Sequence, residues 1–197
     1  MEDIGGARVA DVSEVTLPDL LRPGLEIVFV GINPSLFSVR RGHYFARTTN
    51  RFWPCFSRSV LSLAARRALG VDLLKPEHDR VLPDYGFGFT DLVKRPTARA
   101  DQLDPAELAA GVGDLAAKLE RERPRIACFH GITGFRYVHR ALAAAALAPQ
   151  LGEQPWRLGP SRLFVIPNPS PANAHATPAM QTAWYDRLAA EVGFNIQ

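Results

Sequence analysis

Two asparagines stand in matching settings: Asn33 and Asn168 each open an Asn-Pro-Ser run. A side-chain amide donates and accepts hydrogen bonds but is no strong base, so what it offers a reaction is the positioning of another group. Between them, residues 36–49 are rich in aromatic and basic side chains, with Arg40, Arg41, His43 and Arg47 interleaved with Tyr44 and Phe45. That mixture suits contacts to phosphates. The sequence has no G-x-S-x-G elbow, no G-x-x-x-x-G-K phosphate loop and no G-x-G-x-x-G fingerprint, which removes the commonest α/β enzyme chemistries. His43, His78, His130, His139 and His175 lack metal-ligand spacing and read as structural or surface residues. Cys55 and Cys128 sit in apolar surroundings as buried thiols, too few for a disulfide framework or a four-cysteine cluster.

The elements that must position these groups are short. Residues 25–31, 125–130 and 162–166 are β-branched and aromatic runs closed by Gly or Pro, the mark of buried strands, and residues 86–90 are a weaker fourth. Helices are predicted over residues 50–69, 105–122, 134–147 and 178–191. The second has Asp104 as N-cap, Pro105 in the first turn and Glu107 placed to close a capping box, and Thr177-Pro178 repeats the cap-then-proline signal. Residues 36–49 show neither period and read as a long functional loop. Strands alternating with helices predict a three-layer α/β/α sandwich around a short, four-stranded, mostly parallel sheet, with residues 1–197 as one domain. Ligands of such sheets bind beyond the carboxyl ends of the strands. Asn33, Asp91, Gly131 and Asn168 all fall there.

Composition narrows the class without deciding it. Hydrophobic residues make up 47% and charged residues 22%, which implies a packed core. A net charge of +3 and a pI near 9.1 permit a nucleic-acid partner but do not demand one. The acidic start, MEDIGGARVADVSEV, lacks the pattern of a secretory signal, and no apolar run approaches the roughly 20 residues of a membrane span. A cytoplasmic protein is therefore expected.

Three motifs, in order and spread over roughly residues 25–180, carry a family resemblance. Gly31-Ile-Asn-Pro-Ser35, followed by a short run to Asn50-Arg-Phe-Trp53, resembles the first motif of the mismatch-specific uracil and thymine DNA glycosylases. Gly86-Phe-Gly-Phe-Thr-Asp-Leu-Val-Lys-Arg-Pro-Thr97 is similar to that family's G-[VI]-T-x-L-V-x-R-P-T segment. Asn168-Pro-Ser-Pro-Ala-Asn-Ala-His175 combines their N-P-S with the H-P-S-P-x-x-A-H of the uracil-specific enzymes.

The resemblance implies hydrolysis of the bond between uracil and deoxyribose in single- or double-stranded DNA, with the base flipped out of the helix and free uracil as product. It implies that Asn33 orients the water, that Phe45 stacks on the base with Tyr44 as its substitute, and that the Ile32 amide lies near a base carbonyl. Asn168 stands where the uracil-specific enzymes carry a histidine and would donate to the departing base. Ser35, Arg40, Arg41, Arg47, Lys94, Ser170, Pro171, Ala172, Asn173 and His175 are the expected DNA contacts. Departures from the pattern matter as much. Asp91 replaces a lysine or asparagine and would orient water, accept a bond from the base or stabilise the sugar cation. Ala172 replaces a leucine wedge and Ala174 an arginine, so little dependence on the opposing base is expected. No lysine is placed to form a Schiff base, so the reaction should be monofunctional, free of metal and cofactor, and carried out by a monomer. The rival readings are a glycosylase for deaminated purine or alkylated bases and a silent DNA-binding relative.

Overall fold

The computed structural model describes residues 15–142 and 148–193. Among them is a five-stranded sheet ordered β2-β1-β3-β5-β4, built from β1 (Ile27–Gly31), β2 (Phe87–Asp91), β3 (Ile126–His130), β4 (Gly152–Leu158) and β5 (Ser161–Ile166). All neighbours run parallel except β4, which lies antiparallel to β5 at one edge. The chain leaves β1 for β2 on one side and returns to β3 on the other. The topological switch point therefore falls between the carboxyl ends of β1 and β3, where a crevice must open.

Side chains alternate across the strands, and each face builds its own core. Ile27 and Phe29 point to a face filled by Phe52, Phe56, Phe89 and Tyr185. Val28 and Val30 point to the other, against Leu108, Val112, Leu115, Phe135 and Val138. The first face is covered by α2 (Phe52–Arg58), α3 (Leu63–Leu69) and α6 (Pro178–Val192), the second by α4 (Pro105–Glu122) and α5 (Ile132–Leu142).

The expected count of four strands is corrected to five. β4 escapes a search for apolar runs because its sequence, GEQPWRL, is polar, contains Pro155 and alternates between buried and exposed positions. Proline cannot donate to a ladder, so it is tolerated on an edge strand, and the pairing register shifts between Glu153 and Arg157, flanking it. The loop expected over residues 36–49 starts with a further helix, α1 (Leu36–Arg41). Ser35 caps it by accepting from the Ser38 N–H, and Gly42, at φ 74°, ends it; six residues are too few to show a period.

The helix expected over 50–69 divides into α2 and α3 around a 3₁₀ turn at Val60–Ser62. Ser59 is extended and donates its hydroxyl to the Phe56 carbonyl, while the Asp186 carboxylate takes the Val60 N–H. Serine side chains thus offer the backbone an alternative to the helix. α4 has the predicted ends and capping box, with Asp104 accepting from Ala106 N and Glu107 from Asp104 N. The expected helical stretch 143–147 and the N-terminal residues 1–14 lie outside the described residues.

α4 crosses the segment leaving β2 at very short range. A Cβ on Gly111 would lie 2.2 Å from the Leu92 carbonyl oxygen, whereas one on Gly113, two residues on, would meet nothing within 4 Å. Intrinsic helix propensity favours alanine equally at both positions, by about 1 kcal/mol. Gly113→Ala is therefore expected to stabilise by up to about 1 kcal/mol in urea unfolding, and Gly111→Ala to destabilise by about 2–4 kcal/mol.

Candidate active site

Asp91 is a buried polar group in the lining of the crevice. In the parallel pairing of β1 with β2 it stands opposite Gly31, and a Cβ there would lie 2.4 Å from Asp91 Oδ1. Only glycine lets the carboxyl group lie across β1. Asp91 is 4% exposed, its Oδ2 has no hydrogen-bond partner among the described residues, and the Lys94 ammonium is 3.7 Å away. Burial pushes the Asp91 carboxyl up to about 7, against the opposing pull of Lys94. Near neutral pH it exists in both protonation states.

The two asparagines are oriented by their surroundings in opposite senses. Asn33 donates Nδ2 to the Arg95 carbonyl at 2.9 Å and to Thr97 Oγ1 at 2.8 Å. A carbonyl can be met only by the NH₂ end of an amide, so Oδ1 of Asn33 is left as an acceptor. Asn168 accepts the Ser170 N–H on Oδ1 at 2.9 Å, which leaves its Nδ2 as a donor. Its main chain is held as well, by Asn173 Nδ2 donating to Asn168 O at 3.0 Å. Gly131, at φ 96°, lets Asn168 approach, since a Cβ there would lie 3.0 Å from that of Asn168. Both amides line one cleft of about 1000 Å³.

Phe45 forms an aromatic wall of this cleft. It is one of only two non-glycine residues among those described with positive φ, at 52°, a conformation that costs energy and persists where the surroundings impose it. The ring stacks on Phe52, with centroids 4.3 Å apart and 16° between planes, and meets the edge of His130 at 5.1 Å. Its backbone is pinned on both sides: before it, Asp79 accepts from Tyr44 N at 2.8 Å and Trp53 Nε1 donates to Tyr44 O at 2.9 Å, and after it Ala46 N donates to Ser38 Oγ at 3.3 Å. Tyr44, the expected substitute for Phe45, is 3% exposed and donates its hydroxyl to Pro18 O. It lines the cleft beside Phe45 but is almost wholly buried.

The other expected contacts divide. Ile32, Ser35, Arg47, Ser170, Pro171, Ala172, Asn173 and His175 all line the cleft. Arg47 lies over the Phe37 ring at 5.5 Å, and Pro171, Ala172 and His175 are exposed at the rim. Arg40 and Arg41 are exposed on the last turn of α1, outside the lining. Lys94 points to Asp19 at 2.9 Å and the Tyr44 hydroxyl at 3.2 Å and is outside the lining of the cleft.

Two residues of the site gave no sequence signal for their roles. Arg51 holds the loop that follows Asn168: its guanidinium donates to the carbonyls of Pro171, Asn173 and Ala176, and its N–H to Pro169 O at 2.9 Å. His130 ends β3 at the cleft wall. Burial draws its imidazole down to about 3, so it is neutral, with Nε2 hydrogen-bonded to the Tyr185 hydroxyl at 3.1 Å and Nδ1 without a partner among the described residues.

A doubly wound α/β sandwich whose switch-point cleft presents an amide acceptor, an amide donor, a buried carboxyl and an aromatic wall defines the class. The chain belongs to the uracil DNA glycosylase superfamily, whose family model matches residues 18–189. Among solved structures, the solution NMR structure of a "putative Uracil DNA glycosylase" from Methanosarcina acetivorans shares the fold, with a TM-score of 0.55 at 20% identity over 86% of this chain and 92% of that one.

The buried carboxyl has a thermodynamic signature. Its pKa in the folded protein, about 7, lies above the ordinary 3.8, so the folded state binds the proton more tightly than the unfolded chain. Below pH 3.8 this difference has no cost; as pH rises towards 7 the unfolded chain ionises first and stability falls, and above 7 the loss is complete. Asp91→Asn removes it. The variant is expected to be more stable than the parent by a few kcal/mol at pH 8, with the gap closing towards pH 4, as read by urea unfolding at both pH values.

Proposed function

We propose that this protein is a monofunctional DNA glycosylase that hydrolyses the bond between uracil and deoxyribose, in single- and double-stranded DNA, with motifs nearest to those of the mismatch-specific branch. The observation that carries the reading is the opposed orientation of the two amides, an acceptor at Asn33 and a donor at Asn168, with Phe45 beside them. Breaking an N-glycosidic bond needs both: an acceptor to hold a water against C1′, and a donor for the charge that moves onto the base.

The base leaves the stack and lies against Phe45, because its glycosidic carbon is out of reach within the duplex. As the bond from C1′ to the base nitrogen lengthens, its electron pair goes to the base, and Asn168 Nδ2 donates to the carbonyl oxygen that shares the negative charge. C1′ becomes cationic, and the Asp91 carboxylate supplies the compensating charge. Water held by Asn33 Oδ1 adds to C1′ and gives its proton to Asp91; the uracil anion then takes up a proton, from Asp91 or by way of solvent, leaving free uracil, an abasic sugar and Asp91 ionised again. No residue of the cleft is required to bond covalently to DNA, so strand cleavage is not part of the reaction. Ala172 leaves the tip of the 168–176 loop without a bulky wedge, which favours acceptance of uracil whatever base it faces, and acceptance of unpaired uracil.

The test is base release at enzyme excess from matched oligonucleotides carrying uracil unpaired, opposite A and opposite G, with thymine-mismatch, hypoxanthine and xanthine substrates alongside. Uracil is expected to be released from all three uracil contexts. Asn33→Ala and Asp91→Asn should each slow the chemical step by ~10²-fold or more, and Asn168→Ala by ~10-fold or more. Release of purines alone would replace uracil as the substrate. No release by a folded protein that still binds DNA would leave the silent relative as the reading.

A further inference from the structure

Beside Asp91 lies a small ionic cluster whose charged members, Asp19, Lys94 and Lys118, are outside the lining of the cleft. Asp19 lies in the segment before β1, and its carboxylate accepts from Lys94 Nζ at 2.9 Å and from Thr90 Oγ1 at 2.8 Å and pairs with Lys118 Nζ of α4 at 2.8 Å. Lys94 also donates to the Tyr44 hydroxyl at 3.2 Å. Its ammonium is thereby committed to Asp19 and Tyr44 and stops 3.7 Å from Asp91 Oδ2, inside the range of an ion pair and beyond that of a hydrogen bond.

The geometry points to Lys94, held back by Asp19, as the positioning residue that sets the ionisation of Asp91 and with it the pH range of base excision. This rests on the reading of Asp91 as the carboxylate at the reacting carbon. A lysine in direct contact would hold Asp91 ionised far below neutral pH, and no lysine at all would leave a buried carboxyl protonated through neutrality. The observed spacing lies between these limits. Four groups face Asp91 from the elements around it: Lys94 from the segment after β2, Asp19 from the N-terminal segment, Lys118 from α4 and Tyr44 from the stretch after α1. Asp19 itself stays ionised, because its partners Lys118, Lys94 and Thr90 outweigh the burial that would raise its pKa. It therefore tethers the lysine and adds a negative charge near Asp91, and both effects favour the protonated carboxyl.

Two substitutions should move Asp91 in opposite directions. Lys94→Met removes the cation, and the acidic limb of the pH–rate profile for single-turnover uracil release should move up by about one unit or more, a loss of about tenfold on the limb. Asp19→Asn removes the tether and the negative charge, and the limb should move down. Lys94→Arg, which keeps the cation, should leave it near the parent position. Loss of packing alone would not give shifts of opposite sign. Carbon-13 NMR of the Asp91 carboxyl through a pH titration reads the same quantity without turnover, so it judges the cluster even where no base is released. Opposite displacements of the Asp91 titration, followed by the rate limb, bear the proposal out. Titrations that stay together in the parent, Lys94→Met and Asp19→Asn proteins overturn it, as does a rate limb that ignores a displaced titration. Absence of uracil release by the parent, with the titrations displaced as expected, would count against the glycosylase reading and not against the cluster.

Discussion

A carboxyl group buried at the carboxyl end of a parallel strand, with one oxygen lacking a hydrogen-bond partner among the described residues, is costly to place, and the local architecture is shaped around it. Asp91 takes its place because β1 and β2 run in register and the residue opposite is glycine. The next residue's carbonyl, that of Leu92, is met by Gly111 of α4 at a distance no side chain would allow. Two glycines on different elements thus let backbone and carboxylate approach closely on either side of one strand end. Substituting either with alanine would displace Asp91 or the backbone that follows it. Strain and uncompensated polarity of this sort collect at functional sites because folding alone would select them away.

The neutral polar groups are arranged on a different principle. Each asparagine commits one end of its amide to the main chain and leaves the other for a ligand. Asn33 gives its NH₂ to the segment after β2, and Asn168 gives its oxygen to its own turn. A side chain that can donate and accept equally is made single-minded by the backbone it caps, which is what preorganisation requires of an uncharged group. The hydrogen bonds that orient the two cleft amides are the same ones that shape the loops. Fold and site are in that respect one set of interactions.

The sequence made the layer architecture legible through strong local signals. α4 could be placed to the residue because a cap, a proline and a reciprocal glutamate coincide at its start. β4 could not, because an edge strand may be polar and carry a proline, so GEQPWRL resembles a loop. Asn33, Asn168 and Phe45 were readable because motif spacing fixes them, and Asp91 because it departs from the motif. Arg51 fell inside a motif, but neither its contacts nor those of His130 were legible, for both reach across more than 50 residues of chain, to carbonyls or a hydroxyl that leave no mark in composition. Lys94 illustrates the remaining gap. Its place after β2 was legible, but the direction of a long side chain is decided by Asp19, 75 residues earlier.

The cleft divides into two mechanical halves. Asn33 and Asp91 hang from the ends of β1 and β2 and share that rigid pairing. Phe45 and Asn168 depend instead on the start of α2. Asn50 caps it through the Phe52 N–H, Phe52 supports the stacking ring, and Arg51 between them grips the loop beyond Asn168. In the reaction proposed above, one half would address the water and the sugar, the other the departing base. Consecutive residues at one helix start hold both the Phe45 ring and the loop beyond Asn168, so these two are mechanically coupled, whereas Asn33 and Asp91 are anchored separately, on the sheet.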